Sequence, residues 1–364
     1  MFLTPGKLGG TATYSWQLIE RMQHNEHLNL VLFVQDGYVP DSIDRRLVTV
    51  IRCPRFNSTW RRALWEQFTL PRWAKDQNLN VLWSTGYVSP RFTHCPRVVT
   101  VHDMFFVRVP AAIPFIRRQY YRVFIPWSVR SATEVLAVSA MTADDLAHEI
   151  PKSVGKVTVV HLAARPNLIP VDAEGNPTTP AHDAHPYKVP YFLQVASATR
   201  NKNVATVVTA AVALASDGTE FKVIFAGDDP YGILADAMHL PGAREVCVAE
   251  GTVSDARLSD LYQGALASIN PSIYEGFGLP VLEAQALGVP VISSRGGSLP
   301  EVAGDAALYF DHDQPTQLTD AMRLLLTQTD EVERLVAAGA ENLKRFSWDR
   351  AADETTAVLL AAAK

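Results

Sequence analysis

Two glutamates on either side of a glycine-proline bend are the residues of this sequence best suited to ligand chemistry. The segment 272–294 reads SIYEGFGLPVLEAQALGVPVISS, with Glu275 before the bend and Glu283 eight residues later. Glycine lets the backbone approach a ligand closely, and proline suits the first turn of a helix, where its missing N–H is not needed. We therefore predict a bend that leads into a helix, with one carboxylate on each side.

The residue types at this bend fit three parts of one ligand. A helix N-terminus beyond a glycine bend favours phosphate, and carboxylates are good acceptors for sugar hydroxyls. Phosphate in the middle and hydroxyls at both ends describe a nucleotide sugar. The alternative is that Glu275 and Glu283 are solvated helix charges, which the helix dipole also favours.

Composition bounds the class of protein. The 364 residues exceed the size at which one core stops growing, so two domains are expected. Three scattered cysteines, Cys53, Cys95 and Cys247, suit a reducing cytoplasm better than a disulfide framework or a metal site. We expect no membrane span and no secretion leader, because neither apolar pattern is present.

Charge divides the chain into a basic and an acidic part. Residues 45–130 hold 15 Lys and Arg against three acidic residues, a balance of +12, whereas the remainder holds 18 basic and 35 acidic residues, a balance of −17. Six of the seven tryptophans precede residue 130. This asymmetry indicates an anionic partner for the N-terminal part.

Short apolar runs alternate with helical patterns, which is typical of parallel sheets with helices on both faces. The predicted strands are 28–34, 80–83, 97–102, 134–139, 156–161, 191–197, 221–227, 244–251, 266–272 and 289–294, with a very short first strand at 1–4. The predicted helices include 11–23, 60–76, 115–131, 141–149, 328–345 and 348–363.

A proline-rich stretch separates two such α/β regions. We therefore predict an N-terminal acceptor-binding domain over 1–165, a linker over 166–188 and a C-terminal nucleotide-sugar domain over 189–347. The last helix, 348–364, is expected to pack back toward the first domain. Two doubly wound domains of this kind place a ligand cleft between their strand ends.

The segment EGFGLPVLEA resembles the E-x7-E motif of the retaining family 4 glycosyltransferases, which have the GT-B fold of two Rossmann-like domains. Other landmarks of that family follow in order over essentially the whole chain. They are GGTATY (9–14), VTVHD (99–103), AVSAMTADDL (137–146), SATRNKN (197–203), AEGTVSDARLSDLY (249–262) and FSWDRAA (346–352). Six motifs in register make the resemblance specific.

The resemblance implies roles for individual residues. Glu275 would bind hydroxyls of the donor sugar, Glu283 the nucleotide ribose, and Lys202 the diphosphate, so that no metal or other cofactor is required. His102 would line the donor sugar near its anomeric carbon. The remaining donor-binding residues implied are Gly9, Gly10, Arg200, Val253, Gly276, Phe277, Gly278 and Leu279.

One motif departs from the family pattern. The family commonly has Arg-Lys-Asn in its basic loop, whereas this chain has Arg200-Asn201-Lys202-Asn203, which displaces the arginine and favours Lys202 over Arg200. Both could instead be solvated loop charges. His102 could simply cap a strand, and we interpret Asp103 and Ser139 as structural.

Basic and aromatic residues recur together within 55–130. Trp60, Leu64 and Phe68 follow helical spacing, and Pro126 should kink the helix over 115–131. Tryptophan beside arginine on a helix suits an anionic bilayer surface, whereas the alternative is a core-facing helix with a charged outer face. No recognition motif for nucleic acid accompanies the charge.

The segments YEGFGLPVLEA and VTVHDMFF look most like members that use GDP-mannose, which implies an α-mannosyltransferase with UDP-sugars such as UDP-glucose as alternatives. The acceptor implied is a glycan, or a glycan on a polyprenyl diphosphate, at the inner face of the cytoplasmic membrane. A sugar-nucleotide epimerase, a phosphorylase and a non-catalytic carbohydrate-binding relative are the competing interpretations from other classes.

Overall fold

The computed structural model describes residues 9–35, 39–56, 59–169 and 187–364, arranged as two compact units. The first unit contains the described residues up to Val107, then Pro114–Leu162 and Ser347–Lys364. The second contains Arg108–Ile113 and the described residues of Ala163–Phe346. The predicted strand at 1–4 and most of the predicted linker lie outside the described residues.

The second unit is a doubly wound α/β domain. Its six parallel strands lie in the order β12-β11-β10-β7-β8-β9. They are β7 (Tyr191–Val195), β8 (Lys222–Ala226), β9 (Cys247–Gly251), β10 (Ala267–Asn270), β11 (Val291–Ser294) and β12 (Leu308–Phe310). The four central strands, β11, β10, β7 and β8, are almost fully buried because helices cover both faces, which explains their continuous apolar runs, whereas the edge strands β12 and β9 are partly exposed.

Helices of the second unit pack on this sheet through small and branched apolar side chains. Val207 and Val208 of the first helix, for example, join Phe192 and Phe225 in one buried cluster. The helices are α7 (Val204–Ala215), α8 (Ile233–Ala237), α9 (Ala243–Val246), α10 (Asp255–Gln263), α11 (Leu279–Ala286), α12 (Leu299–Ala303), α13 (Pro315–Thr327) and α14 (Thr329–Leu343).

The described strands of the first unit are also parallel, and they pair as β1-β2 and as β3-β4-β5-β6. These strands are β1 (Leu30–Gln35), β2 (Val48–Cys53), β3 (Leu82–Ser84), β4 (Arg97–Val101), β5 (Glu134–Ala137) and β6 (Val157–Val159). A cavity of about 520 Å³ is lined by residues of both groups, including Leu30, Phe33 and Leu82, and by Leu359.

Within the described residues of the first unit, seven helices accompany these strands. They are α1 (Gly10–Met22), α2 (Thr59–Phe68), α3 (Leu70–Asp76), α4 (Phe105–Arg108), α5 (Phe115–Ser131), α6 (Ala140–Glu149) and α15 (Trp348–Ala362). Within the first unit, Arg21 of α1 donates to Asp349 of α15 at 2.6 Å. Ser139 accepts from the Thr142 amide and so caps α6, which confirms its structural role.

Three sequence predictions about these elements are wrong. The helix predicted over 60–76 is two helices that divide at Thr69, and the strand predicted to reach Ser272 ends at Asn270. The strand predicted over 244–251 begins only at Cys247, because the three residues before it belong to α9. The strands β2 and β12 were not predicted. By contrast, Pro126 does lie inside α5, and α5 begins and ends where the sequence pattern places it. No helix within the described residues is both long enough and apolar enough to cross a bilayer.

Candidate functional site

The predicted site lies at the point where the strand order of the second unit reverses. β7 and β10 are neighbours in the sheet although two further strands separate them in the chain. Ligands of open α/β sheets bind beyond the carboxyl ends of strands at such a switch point. Lys202 follows β7 and Glu275 follows β10, so the topology alone places these two residues on adjacent loops.

Lys202 and Glu275 are in direct contact. The Lys202 Nζ donates to Glu275 Oε1, and Ser272 Oγ donates to the same oxygen at 2.6 Å. The side chains of Lys202 and Glu275 keep 23% and 17% of their surface exposed. A charge pair that is partly open to solvent can exchange one partner for a ligand, which a fully buried pair cannot do without a large desolvation cost.

The backbone around this pair is fixed by its neighbours. Asn203 adopts a left-handed conformation, with φ of 52°, and its side-chain amide donates to the Pro271 and His312 carbonyls at 3.2 and 2.7 Å. The Ile273 amide donates to the Asn201 carbonyl at 2.8 Å. These contacts join the loop after β7 to the loop after β10, so the two charges are held in register.

The glycine bend has the geometry that its sequence predicts. Gly278 caps α11 with a φ of +108°, and a Cβ built there would lie 2.7 Å from Leu299 Cδ2. Only glycine satisfies both conditions. Pro280 lies in the first turn, and Glu283 is the fifth residue of α11. The positive end of the helix dipole therefore lies between Glu275 and Glu283.

A second glycine pair supports this bend, and sequence analysis missed it. A Cβ on Gly296 would lie 2.2 Å from the Ser272 carbonyl oxygen, and a Cβ on Gly297 would lie 2.3 Å from that of Glu275. Ser298 Oγ donates to the Glu275 and Phe277 carbonyls at 3.1 and 2.8 Å. The sequence RGGS was the available signal, because paired glycines often mark close backbone approach.

Glu283 is buried, with 2% of its surface exposed, and it is not a solvated helix charge. Arg165 donates to both carboxylate oxygens, from Nε at 2.5 Å and from Nη2 at 3.1 Å. The Tyr262 hydroxyl donates at 3.3 Å, and burial together with the Glu283 charge raises the pKa of Tyr262. Burial lowers the pKa of Arg165, but its bond to Glu283 outweighs this and raises the pKa overall.

His102 lies in the first unit, directly after β4, and is also buried. Its Nε2 lies 2.8 Å from the Thr85 carbonyl oxygen, so Nε2 carries the proton and Nδ1 carries the lone pair. The rings of Tyr14 and Tyr87 pack edge-on against it. Burial lowers the pKa of His102 from 6.5 to about 4, despite the opposing bond to Thr85. The imidazole is therefore neutral near pH 7.

The other predicted residues occupy the ends of elements. Gly9 caps α1 and Gly10 is its first residue, both exposed. Arg200 is exposed at the start of the 3₁₀ turn Arg200–Lys202. Val253 is half-buried just before α10. Asp103 accepts from the Tyr87 hydroxyl at 2.7 Å, a structural contact.

Two protein-family models together match nearly all of the chain. Residues 8–166 match the model described as Glycosyltransferase Family 4, and residues 177–342 match the one described as Glycosyl transferases group 1. The chain belongs to the family 4 glycosyltransferases. The sequence prediction of that family is thereby confirmed.

Curated relatives of this glycosyltransferase include mannosyltransferases. It is 29% identical to the O-antigen chain mannosyltransferase B of Escherichia coli over 268 residues, covering 71% of this chain and 68% of the relative. It is also 29% identical to the MMP alpha-(1->4)-mannosyltransferase of Mycolicibacterium hassiacum, covering 77% and 68%.

Solved structures confirm the GT-B fold predicted for this glycosyltransferase. Sucrose-phosphate synthase from Thermosynechococcus elongatus superimposes with a TM-score of 0.77 at 20% identity, covering 98% of this chain and 94% of that one. WaaG, a glycosyltransferase involved in lipopolysaccharide biosynthesis, gives 0.76 at 17% identity, covering 98% and 97%. At these identities the likeness concerns the fold.

Proposed function

We propose that this glycosyltransferase moves mannose from GDP-mannose to a glycan or lipid-linked glycan during polysaccharide biosynthesis, with retention of anomeric configuration and without a metal. Mannosyl transfer is supported by two relatives named mannosyltransferases, one of them an O-antigen enzyme. A role in the synthesis of a surface polysaccharide such as lipopolysaccharide is proposed from the name of the O-antigen relative alone. UDP-sugars such as UDP-glucose are the alternative donors.

The observation that carries this proposal is the order of groups within the second unit. The Lys202–Glu275 pair lies on one side of the glycine bend, the N-terminus of α11 lies at the bend, and Glu283 lies one turn beyond. A sugar, a diphosphate and a ribose follow one another in the same order in a nucleotide sugar. We assign the sugar hydroxyls to Glu275, the diphosphate to Lys202 with Arg200 and the helix N-terminus, and the ribose to Glu283.

The proposed transfer step depends on the negative charge that develops on the diphosphate. The bond between the anomeric carbon and the diphosphate oxygen breaks, and the acceptor oxygen forms its bond on the same face of the sugar. The acceptor proton passes to the departing diphosphate. Lys202 stabilises the negative charge that develops on the diphosphate, which is the electrostatic role that a metal would otherwise serve.

For His102 we propose a role in the chemical step rather than in nucleotide binding. Its neutral imidazole, fixed by Thr85, can accept a hydrogen bond at Nδ1 without adding positive charge. Replacing His102 by glutamine should therefore lower the rate of transfer while leaving the affinity for free nucleotide unchanged.

We propose further that helices α2 and α5 contact an anionic lipid surface that carries the acceptor. Trp60, Leu64 and Phe68 are 52%, 58% and 64% exposed, so this stripe does not face the core. The stripe continues onto α5: the Trp60 ring packs against the Phe124 ring, and the Phe124 ring packs against the Trp127 ring. Exposed cations lie on α2, on α3, on α5 and before β4; they are Arg61, Arg72, Lys75, Arg91, Arg117, Arg122 and Arg130.

A donor panel tests the proposed activity. Purified enzyme is melted with GDP-mannose, GDP-glucose, UDP-glucose, UDP-galactose and UDP-N-acetylglucosamine, each with EDTA present, and slow hydrolysis of each donor is followed in parallel. GDP-mannose should raise the melting temperature most and should be hydrolysed, because a ligand at 100 times its Kd stabilises by about 2.7 kcal/mol. Preferential stabilisation by a UDP-sugar would contradict the donor, and a requirement for added metal would contradict the metal-free mechanism.

A further inference from the structure

The contact of Arg165 with Glu283 leaves that carboxylate with little unused hydrogen-bonding capacity. A carboxylate offers about four lone-pair directions on its two oxygens. Arg165 uses one on each oxygen, and Tyr262 uses a second on Oε2. Among the described contacts of Glu283, one direction on Oε1 therefore remains for a ligand.

Contacts with residues other than Glu283 also hold Arg165 in place. Its Nη1 lies 3.4 Å from Asp255 Oδ1 at the start of α10, and the Asn167 side-chain amide donates to Asp255 Oδ2. Ser259 of α10 donates to the Leu168 carbonyl at 2.8 Å, which fixes the turn that follows Arg165. With 14% of its side chain exposed, Arg165 has little freedom to leave this arrangement.

The geometry of the guanidinium sets the direction of the carboxylate. A planar fork that donates to both oxygens fixes the plane of the carboxylate as well as its position, which a single ammonium group cannot do. Removing Arg165 would leave Glu283 buried without a compensating charge, and such a group rotates or takes up water.

We propose that Arg165 is a positioning residue that aims Glu283 at a single hydroxyl of the nucleotide ribose. This inference rests on the proposed function, in which Glu283 binds the ribose. It adds that the enzyme distinguishes the two ribose hydroxyls, and that Arg165 is the reason.

Deoxynucleotide binding measures this directly. Calorimetry gives the Kd of GDP, 2′-deoxy-GDP and 3′-deoxy-GDP, with the corresponding UDP series alongside, for the wild type, Arg165→Gln and Arg165→Lys. In the wild type one deoxy analogue should bind about tenfold more weakly and the other should bind like the parent nucleotide. In Arg165→Gln the two analogues should differ by less than about twofold, and Arg165→Lys should be intermediate.

A matched control separates positioning from stability. Arg323 forms an exposed ion pair with Asp217 in the same unit, away from the bend, so Arg323→Gln should keep the wild-type ratio of affinities. A merely structural role for Arg165 would weaken all three nucleotides together and preserve that ratio. If Arg165→Gln does not fold, the ratio in Arg165→Lys decides, since it also should fall below that of the wild type.

The outcomes distinguish this inference from the proposed function. A wild type that binds GDP and both deoxy analogues equally would contradict the assignment of Glu283 to the ribose. Equal weakening of both analogues in the wild type would contradict the single-hydroxyl geometry. Undiminished discrimination in folded Arg165→Gln would overturn the positioning role while leaving the proposed function in place.

Discussion

Lys202 and Glu275 neutralise one another before any donor is present, and this has a consequence for binding. A diphosphate carries more negative charge than one carboxylate, so it can draw the Lys202 ammonium away from Glu275. Glu275 keeps the hydrogen bond from Ser272 and gains acceptor capacity for sugar hydroxyls. Under the proposed function, a single exchange of partners would let Lys202 bind the diphosphate and Glu275 bind the sugar of the same donor.

His102 should make stability depend on pH. Its pKa is about 4 in the folded protein against 6.5 ordinarily, so between these values the unfolded chain binds a proton that the folded chain does not. The free energy of unfolding should therefore fall as the pH falls from 6.5 to 4. The His102 contribution should reach about 3 kcal/mol.

Urea denaturation of the wild type and of His102→Gln from pH 7.5 to 4 measures this effect. Glutamine does not titrate, so the advantage of the wild type over the variant should shrink as the pH falls. His148→Gln is the matched control, since His148 is 74% exposed. Parallel curves for the wild type and His102→Gln would show that His102 does not titrate as described.

At the scale of elements, helix α11 has a glycine at each end, and the two should respond differently to substitution. Gly278 and Gly288 both have positive φ, of +108° and +69°, but a Cβ would meet Leu299 only at Gly278 and nothing within 4 Å at Gly288. We expect Gly278→Ala to lower the free energy of unfolding by about 3 kcal/mol, from strain and crowding together. Gly288→Ala should cost about 1 kcal/mol from strain alone.

Thermal and urea denaturation of the two variants provide the comparison. Equal losses would mean that Leu299 moves aside freely and that packing does not fix the bend. Because Gly278 also sets the backbone between Glu275 and Glu283, its variant should bind nucleotide more weakly, whereas Gly288→Ala should bind it normally.

Long elements with a clear pattern could be predicted from the sequence, and short or half-exposed ones could not. The helix α5 and the strands β7 to β11 of the second unit follow clear apolar patterns and were predicted to within a few residues. β2 has an exposed Thr49 and Arg52 in its burial pattern, and β12 has only three residues, so neither produces a distinct signal. The break between α2 and α3 at Thr69 did carry a signal that the prediction overlooked, because Pro71 lies in the first turn of α3 and a proline interrupts a helix at the residues before it.

The residues of the candidate site also differ in whether the sequence could predict them. Glu275 and Glu283 belong to one local motif, and Lys202 belongs to the loop SATRNKN, whose resemblance to the basic loop of the family predicted it. The pairing of β7 with β10 then brings Lys202 to Glu275 in the structure. Arg165 is 118 residues from Glu283 in the chain. A contact over that distance depends on how the turn at Pro166–Leu168 packs on α10, which no local pattern reports.

For the whole molecule, the excess of positive charge falls within residues 45–130, the part of the chain that contains the exposed apolar residues of α2 and α5. Vesicle sedimentation tests whether this patch binds lipid. Binding to vesicles that contain phosphatidylglycerol should be strong at low salt and should fall as salt rises. Vesicles of phosphatidylcholine alone should bind little.

Two variants separate the charge from the apolar stripe. Arg117→Glu combined with Arg122→Glu should weaken binding by at least about tenfold, since each cation near the surface contributes about 1 kcal/mol. Leu64→Ser combined with Phe68→Ser should weaken binding at every salt concentration. Leu324→Ser, at an exposed apolar residue of the second unit, is the control. Binding that ignores both salt and the charge reversal would contradict the membrane proposal.

Glu275 and Glu283 are proposed to bind different parts of the donor, the sugar and the ribose, and two alanine variants separate these roles. Nucleotide affinity and sugar transfer are measured on Glu275→Ala and Glu283→Ala. Glu275→Ala should bind GDP within about threefold of the wild type and lose at least about 100-fold in kcat. Glu283→Ala should weaken both GDP and GDP-mannose by about tenfold or more. Normal transfer by Glu275→Ala, or equal loss of GDP affinity in both variants, would contradict the assignment.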